Sequence, residues 1–458
     1  MGTELPISMK ESTDTGGNEN GVVNAPVELD AGALFVLKSG GSWLHSGYHL
    51  TTSMVSPALL SLPFALALLG WAGGLIGLIV AGLVTFYSYN LLSMVLEHHA
   101  RLGHRQLRYR DMATDILGNR WGKYLVGPLQ LGLCYGGVVA EILLGGQSLN
   151  FVYLLSSPNG STMKLGHFIF LFGTLVLVLA QISSFHSLRH INLVSLILCL
   201  AYSACATAGS IYIGNSQNAP IRDYSINRAE EHRISSAFNA ISIIITTYTC
   251  AVLPEIQATI APPVKGKMFK GLCLCYGVAV TTFFSVAISG YWAFGNQAMA
   301  KTVLANFMGD DKYLLPTWFL LMTNVFTLLQ VSAVSVVYLQ PINEIIEKKF
   351  ADPNADQFSI RNVVPRVIFR STAVIIATIF AAVLPFFGDI MALLGAFGCI
   401  PLGLILPMLF YNSTFKPSKL SLIFLANTSI VVVSSVLIVG GALSSVRQIL
   451  LDLKMYDS

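Results

Sequence analysis

Long apolar blocks that carry almost no charge dominate the chain. Residues 52–71 and 421–444 are two examples, and each reaches the roughly 20 residues that an α-helix needs to cross a bilayer. Only 11% of the 458 residues are charged, whereas a soluble domain has about 25%. Hydrocarbon offers no hydrogen bonds to the backbone, so spans of this length are expected to form helices. The sequence therefore predicts an all-α polytopic membrane protein.

Eleven apolar blocks define the predicted membrane helices, which we number helix 1 to helix 11 in chain order. They cover about residues 45–70, 73–96, 124–155, 167–184, 192–214, 235–260, 271–294, 314–340, 366–387, 389–411 and 421–444. With their loops they predict one membrane domain over residues 31–450. Residues 1–30 are polar and lack the apolar run of a signal peptide, so we expect a disordered cytoplasmic tail there. Residues 451–458 are expected to form a short extracellular tail.

The loop charges predict the orientation of the chain. With eleven crossings, most of the 27 Lys and Arg residues fall on the side of the N-terminus. Such residues accumulate in cytoplasmic loops, so the N-terminus is predicted inside and the C-terminus outside a cell membrane. The net charge of +4 is small and spread over many loops, which argues against a nucleic-acid partner. Seven cysteines, all in apolar segments, argue against a disulfide framework, and we expect neither a metal nor another cofactor.

Two of the predicted helices contain an interruption in mid-span. In helix 1, Ser56 and Pro57 are the residue types favoured at a helix start, as N-cap and first helical residue. In helix 6, the polar run 246–250 is followed by Pro254. Such breaks persist in a membrane only where they are buried in protein or line a wet cavity. We therefore expect helices 1 and 6 to be discontinuous and to occupy equivalent places in two inverted five-helix repeats, with helix 11 outside them.

The two breaks together predict a substrate site. The second half of helix 1 would direct the amides of Ala58, Leu59 and Leu60 at a carboxylate, and carbonyls over 247–250 would face an amine. Paired discontinuous helices mark the substrate site of many secondary transporters. Pro63 is expected to kink this half-helix, because it has no N–H to donate. The predicted substrate-binding residues are Ser53, Val55, Ser56, Pro57, Ala58, Leu59, Tyr135, Thr247, Tyr248, Thr249, Cys250 and Ala251.

Two carboxyl groups inside the predicted spans are candidates for proton coupling. Glu141 falls near mid-depth in helix 3, and Glu255 follows the break of helix 6. An ionisable group inside a membrane is a functional candidate by default. The alternatives are a carboxyl held between helices for Glu141 and an anchor of the second half-helix for Glu255. Gln330, Ser332 and Ser335 of helix 8 either line the cavity or form interhelical hydrogen bonds.

Six stretches of the sequence point to a known family. They are LHSGYHLTTSMVSPALLSLPFA, LVTFYSY, SSFHSLRHIN, LPEIQATIAPPVKGKMFKGLCLCY, AISGYWAFGN and LPFFGDIMALLGAFG. Over about residues 30–450 the chain resembles the plant amino acid/auxin permease family, and most of all its GABA-transporter branch. The resemblance implies a leucine-transporter-like fold, with a 5+5 inverted repeat plus one extra helix, and proton-driven uptake of amino acids. The chain departs from the family at Ser56 and at 249–251, where glycines are usual, which leaves its substrate range open.

The function predicted from these features is proton-coupled symport of GABA and related amino acids across the plasma membrane by alternating access. The expected partners are the amino acid, protons and the lipid bilayer, with no obligate protein partner. The alternatives are another neutral amino acid or an auxin-like substrate, and a sensor that binds without transporting. An enzyme would depend on His186 and His190 as metal ligands, but no carboxylate or cysteine lies near them in the sequence. A channel would need charged rings or filter loops, which the predicted spans lack.

Overall fold

The computed structural model describes residues 41–103, 106, 108–157, 163–181, 185–217, 219–225, 230–260, 264, 266–300, 302–309, 313–350 and 359–457. The predicted disordered tail over 1–30 lies outside these ranges. The described residues form helices joined by short connections, with one isolated bridge between Gly41 and Ile260. The predicted all-α class is therefore confirmed.

Each of the eleven predicted membrane helices corresponds to helical residues in the structure. Helix 1 comprises Trp43–Met54 and residues 57–69, helix 2 residues 71–101, helix 3 Asn119–Ser156, helix 4 Leu165–Ala180, helix 5 Phe185–Asn215, helix 6 Glu230–Thr247 and Leu253–Ala258, helix 7 Lys267–Phe294, helix 8 Thr317–Phe350, helix 9 Ile360–Val383, helix 10 Phe387–Phe415 and helix 11 Leu422–Asp457. A short amphipathic helix, Tyr109–Leu117, precedes helix 3. Within the described ranges, eight apolar stretches are long enough to span a membrane.

The longest apolar stretch, Pro57–Arg101, holds the second half of helix 1 and all of helix 2. The two are separated at Gly70, which has φ 72° and ψ 175°. Only glycine adopts this left-handed conformation at little cost, so Gly70 allows the chain to reverse between two antiparallel helices.

Helices 8, 9 and 11 extend beyond their predicted bounds. Helix 8 continues through Pro341 to Phe350, and helix 9 starts at Ile360 with Pro365 inside it, so the polar segment between these prolines is helical at both ends. Helix 11 continues to Asp457, which makes most of the predicted 451–458 tail helical. Loss of hydropathy marks where a helix leaves hydrocarbon, not where it ends, because a helix in water needs no apolar sequence.

Helices pack closely where small residues leave room for a neighbour. A Cβ atom at Gly145 of helix 3 would lie 2.3 Å from the ring of Phe172 in helix 4. A Cβ at Gly290 of helix 7 would lie 2.4 Å from Pro63 in helix 1. Such contacts replace the hydrophobic effect, which is weak between helices in lipid. Helix 11 leaves most of its apolar surface exposed, as expected for a helix that faces lipid outside the repeats.

An aromatic cluster closes the end of the bundle where helix 1 turns into helix 2. The ring of Trp71 lies 4.8 Å from that of Tyr291 and 5.8 Å from that of Tyr224, between centroids. Tyr224 belongs to the connection before helix 6, which is held by Asp223. The Asp223 carboxylate accepts hydrogen bonds from the amide and hydroxyl of Ser225 and from the side-chain amide of Asn296, which lower the pKa of this carboxyl. It therefore stays ionised near neutral pH.

Candidate substrate site

Helix 1 is interrupted at Ser56, as predicted. The amide of Val55 donates to the carbonyl of Thr51 at 2.8 Å and ends the first half-helix. Ser56 is extended, with φ −93° and ψ 168°, and Pro57 opens a 3₁₀ turn, Pro57–Ser61. The side chain of Ser56 makes no capping hydrogen bond, so that part of the prediction is wrong.

The turn also changes which amides of helix 1 are available to a ligand. The amide of Leu59 donates to the carbonyl of Ser56 at 3.2 Å. A 3₁₀ turn pairs each amide with the third residue before it, so amides are used one residue earlier than in an α-helix. The predicted presentation of three free amides is therefore wrong for Leu59. Of the three residues, Ala58 lines a cavity between helices 1 and 6.

Pro63 does not kink helix 1. The α-helical part begins at Leu62, and Pro63 lies in its first turn, where a missing N–H leaves no acceptor unpaired. The prediction of a kink assumed an α-helix from Pro57 onward, and the 3₁₀ turn removes that assumption. Pro63 instead packs against Gly290 of helix 7.

Helix 6 is interrupted between Thr247 and Leu253, which confirms the second break. The amide of Cys250 donates to the hydroxyl of Tyr89 in helix 2 at 2.7 Å. The carbonyl of Ala251 accepts a hydrogen bond from the side-chain amide of Gln130 in helix 3 at 3.1 Å. Side chains of two neighbouring helices thus satisfy backbone groups that a continuous helix would have paired internally.

A cavity of about 30 Å³ lies between the two breaks. That is room for about one or two water molecules, so binding of a substrate requires the cavity to widen. Of the predicted substrate-binding residues, Ser56, Ala58, Thr249 and Ala251 line the cavity. The structure therefore brings residues of both breaks to one place in the core.

The other predicted residues of helices 1 and 6 do not line the cavity. Val55, Pro57, Leu59, Thr247, Tyr248 and Cys250 are buried, and Ser53 is half-buried on the first half of helix 1. The ring of Tyr248 packs 4.9 Å from that of Phe283 in helix 7, between centroids. The hydroxyl of Thr247 donates to the carbonyl of Ile244 at 2.7 Å, within its own helix.

Tyr135 is on a different face of helix 3 from the cavity. Its hydroxyl donates to the carbonyl of Ala373 in helix 9 at 3.0 Å. Leu133, Gly137 and Glu141 line the cavity and follow each other at intervals of four, so they share one helix face. Tyr135 lies two residues from that series and points elsewhere. Helical periodicity counted from Glu141 would have excluded it from sequence alone.

The two candidate carboxyl groups have different surroundings. Glu141 is 4% exposed and lines the cavity, and its Oε2 atom has no hydrogen-bond partner among the residues described. Glu255 accepts a hydrogen bond from Gln130 at 2.7 Å and does not line the cavity. This contact favours the alternative that Glu255 anchors the second half of helix 6.

The polar residues of helix 8 form contacts within the protein. Gln330 accepts a hydrogen bond from the hydroxyl of Ser195 in helix 5 at 3.0 Å. Ser332 and Ser335 donate to carbonyls of their own helix. The cavity wall from helix 8 is instead formed by Tyr338.

Helix 10 supplies a part of the cavity that sequence reasoning missed. It contains two π-helical turns, Gly395–Cys399 and Pro401–Ile405, which are rare and frequent at functional sites. A Cβ at Gly395 would lie 2.2 Å from the carbonyl oxygen of Ser242, so helix 10 approaches helix 6 closely. The glycines and the proline within the apolar span of helix 10 were the sequence signal that could have indicated these turns. The missed lining residues are Leu133, Gly137, Thr246, Tyr338, Met391, Leu394 and Cys399.

The HSLRH motif lies at the start of helix 5, and the side chains of 186 and 190 fall outside the described part of the chain. The described residues contain no group of three or more potential metal ligands. The metal-dependent alternative therefore gains no support and stays a hypothesis.

Two interrupted helices, each the first of a group of five, are the arrangement found in the leucine-transporter fold. The crystal structure of MhsT in complex with L-phenylalanine matches this fold with a TM-score of 0.53 at 11% sequence identity, over 89% of this chain and 99% of that one. Residues 39–448 match the family described as transmembrane amino acid transporter protein, so the chain belongs to that family.

Two relatives from Arabidopsis thaliana refine this comparison. The chain is 58% identical to GABA transporter 1 over 430 residues, which is 93% of this chain and 95% of the relative. It is 28% identical to lysine histidine transporter-like 1 over 435 residues, 94% of this chain and 93% of the relative. The family and transporter class inferred from the sequence are therefore confirmed.

Proposed function

We propose that this transporter is a proton-coupled symporter that carries GABA and related amino acids inward across the plasma membrane. The observation that carries the proposal is a cavity bounded by Ser56 and Ala58 on one side and by Thr249 and Ala251 on the other. The 58% identity to a protein named GABA transporter 1 supports the choice of substrate. The excess of Lys and Arg on one side supports a cytoplasmic N-terminus and an extracellular C-terminus.

A zwitterionic substrate fits the polarity of this cavity. Its described lining includes no Lys, Arg or His, so we assign the substrate carboxylate to the backbone N–H of Ala58 at the start of the 3₁₀ turn. We assign the ammonium group to the break of helix 6, where residues 248–250 lie outside regular helix. The two breaks thus offer opposite partial charges to the two ends of one ligand.

Alternating access is assigned to movement of helices 1 and 6 against the rest of the bundle. The hydroxyl of Tyr89 and the side-chain amide of Gln130 hold the break of helix 6 in the observed conformation. A change of these contacts would accompany the switch between outward and inward access. Proton coupling is assigned to Glu141 rather than Glu255, because Glu141 is the carboxyl that lines the cavity.

The test is transport by the full chain in oocytes that lack comparable uptake. GABA, β-alanine, proline and auxin are applied over a range of pH while current and labelled uptake are recorded. We expect inward current with GABA that grows as the external pH falls. Absence of current and of uptake for every compound at every pH would refute the proposal. GABA binding to purified protein without any flux would support the sensor alternative instead.

A further inference from the structure

Glu141 is the one acidic side chain that lines the central cavity in the described part of the chain. It is almost fully buried, and its Oε2 atom lacks a hydrogen-bond partner among the residues described. Buried polar atoms are normally hydrogen-bonded, so an unpartnered carboxyl oxygen beside a cavity indicates a group that pairs with a ligand. No basic side chain lines the cavity with it.

The groups facing Glu141 are neutral hydroxyls and thiols. Tyr202 of helix 5 and Tyr338 of helix 8 lie close enough to interact with its charge. Cys399 of helix 10 shares the cavity lining, and helices 4 and 9, which also pack on helix 3, contribute no residue to it. None of these groups carries a positive charge that would balance an ionised Glu141.

The charge balance of the site then determines whether Glu141 is protonated or ionised when a substrate is bound. A zwitterion is neutral, so an ionised Glu141 leaves a net charge of −1 in a site removed from water. An unbalanced charge of this kind is costly, and one bound proton removes it. A protonated carboxyl is also a hydrogen-bond donor, whereas an ionised one is an acceptor only.

The lining contains no positively charged donor for the substrate carboxylate, whereas the carbonyls at the break of helix 6 supply acceptors for its ammonium group. The Leu59 amide is engaged within the 3₁₀ turn, and no basic side chain is present. We propose that Glu141 takes up the transported proton and donates it in a hydrogen bond to the carboxylate of the bound amino acid. Such a hydrogen bond between a neutral donor and a carboxylate is short and strong.

This inference rests on the proposed function and specifies how substrate and proton are coupled. Outside, a hydronium ion gives its proton to a Glu141 carboxylate oxygen, an O–H bond forms and a water molecule is left. Inside, the amino acid leaves and the O–H bond breaks, returning the proton to water. Substrate binding and protonation then favour each other, because each is stabilised by the same hydrogen bond.

The test uses purified full-length protein in proteoliposomes with labelled GABA. In the unchanged chain, single-proton linkage predicts that KM for GABA rises by up to about tenfold per pH unit once Glu141 is ionised. In Glu141→Gln the amide still donates a hydrogen bond but carries no exchangeable charge. We expect this variant to retain exchange of labelled for unlabelled GABA, with a KM that changes less than twofold per pH unit and no accumulation driven by a proton gradient. Glu255→Gln is the matched control and should keep the response to pH.

The possible results separate the inference from the proposed function. A Glu141→Gln variant that keeps the pH dependence of the unchanged chain would overturn the inference, since another group would carry the proton. Loss of GABA exchange at every pH in this variant, with exchange retained in Glu141→Asp, would also overturn it, because an ammonium partner would then be required. If Glu141→Gln does not fold, Glu141→Asp decides: a shifted pH midpoint supports the inference, and an unchanged midpoint contradicts it. No uptake by the unchanged chain would instead refute the proposed function itself.

Discussion

Replacement of Tyr89 by phenylalanine tests whether the break of helix 6 is held by its neighbours. The hydroxyl of the fully buried Tyr89 accepts a hydrogen bond from the amide of Cys250 at 2.7 Å. Tyr89→Phe removes this oxygen and keeps the ring. A buried amide left unpaired costs about 1–3 kcal/mol. If the unpaired amide destabilises the substrate-binding conformation by this amount, the affinity for substrate falls by about 5- to 150-fold. We expect KM for GABA to rise within this range and the melting temperature of the purified protein to fall.

Tyr87→Phe is the matched control, because it makes the same chemical change two residues away on the same helix. The hydroxyl of Tyr87 donates to the side chain of Asn427 in helix 11 at 2.8 Å, away from the breaks. This variant should lose some stability and leave KM unchanged. A Tyr89→Phe protein with KM within twofold of the unchanged chain, or equal increases in both variants, would refute the reasoning.

Three further predictions concern the contacts around the cavity. Gln130→Leu leaves the carbonyl of Ala251 without its donor and should raise KM for GABA by about 5-fold or more, whereas Gln147→Leu, half-buried on the same helix, should not; labelled uptake measures both. Gly145→Ala should destabilise the protein by about 1–3 kcal/mol through contact with Phe172, while Gly132→Ala, with open space at its Cβ, should not lower the melting temperature. Pro57→Ala should reduce uptake more than Pro63→Ala, because Pro57 starts the turn at the break and Pro63 lies in the first turn of the α-helical part.

The controls in these pairs also define what would contradict them. Similar KM values in the two glutamine variants would show that the Ala251 contact does not support the site. A melting temperature lowered equally by both glycine variants would point to backbone effects rather than to packing against Phe172. Equal small losses of uptake in the two proline variants would show that Pro57 has no special role at the break.

The positions of the membrane helices followed from hydropathy because the bilayer imposes one strong constraint on every span. Hydropathy predicted the ends of the helices less accurately than their positions. Pro341 and Pro365 lie inside helices 8 and 9, although the loss of apolar residues suggested that both belonged to a connection. Hydropathy reports contact with hydrocarbon, while the backbone remains helical beyond it.

The breaks were predictable because proline and clustered polar residues are rare in mid-span and have a local physical meaning. The local geometry of the first break was not, since a 3₁₀ turn and an α-helix start with the same residue types. Neither the missing capping hydrogen bond of Ser56 nor the engaged amide of Leu59 has a sequence signature.

The walls of the cavity depend on tertiary packing, so the sequence predicted them only in part. Tyr135 and Glu141 both stand in helix 3, and only their helical phase separates a contact with helix 9 from a place in the cavity. Tyr338 and Cys399 come from helices 8 and 10, and their arrival at the cavity requires knowledge of how distant helices pack. No local pattern contains that information.

The most direct test of the central claim is the position of bound substrate in a cryo-EM structure of the full chain with GABA. The account predicts density for one GABA molecule between Ser56 and Ala58 of helix 1 and Thr249 and Ala251 of helix 6, with one end against Glu141. Bound GABA at another place, with this cavity left without density, would contradict it.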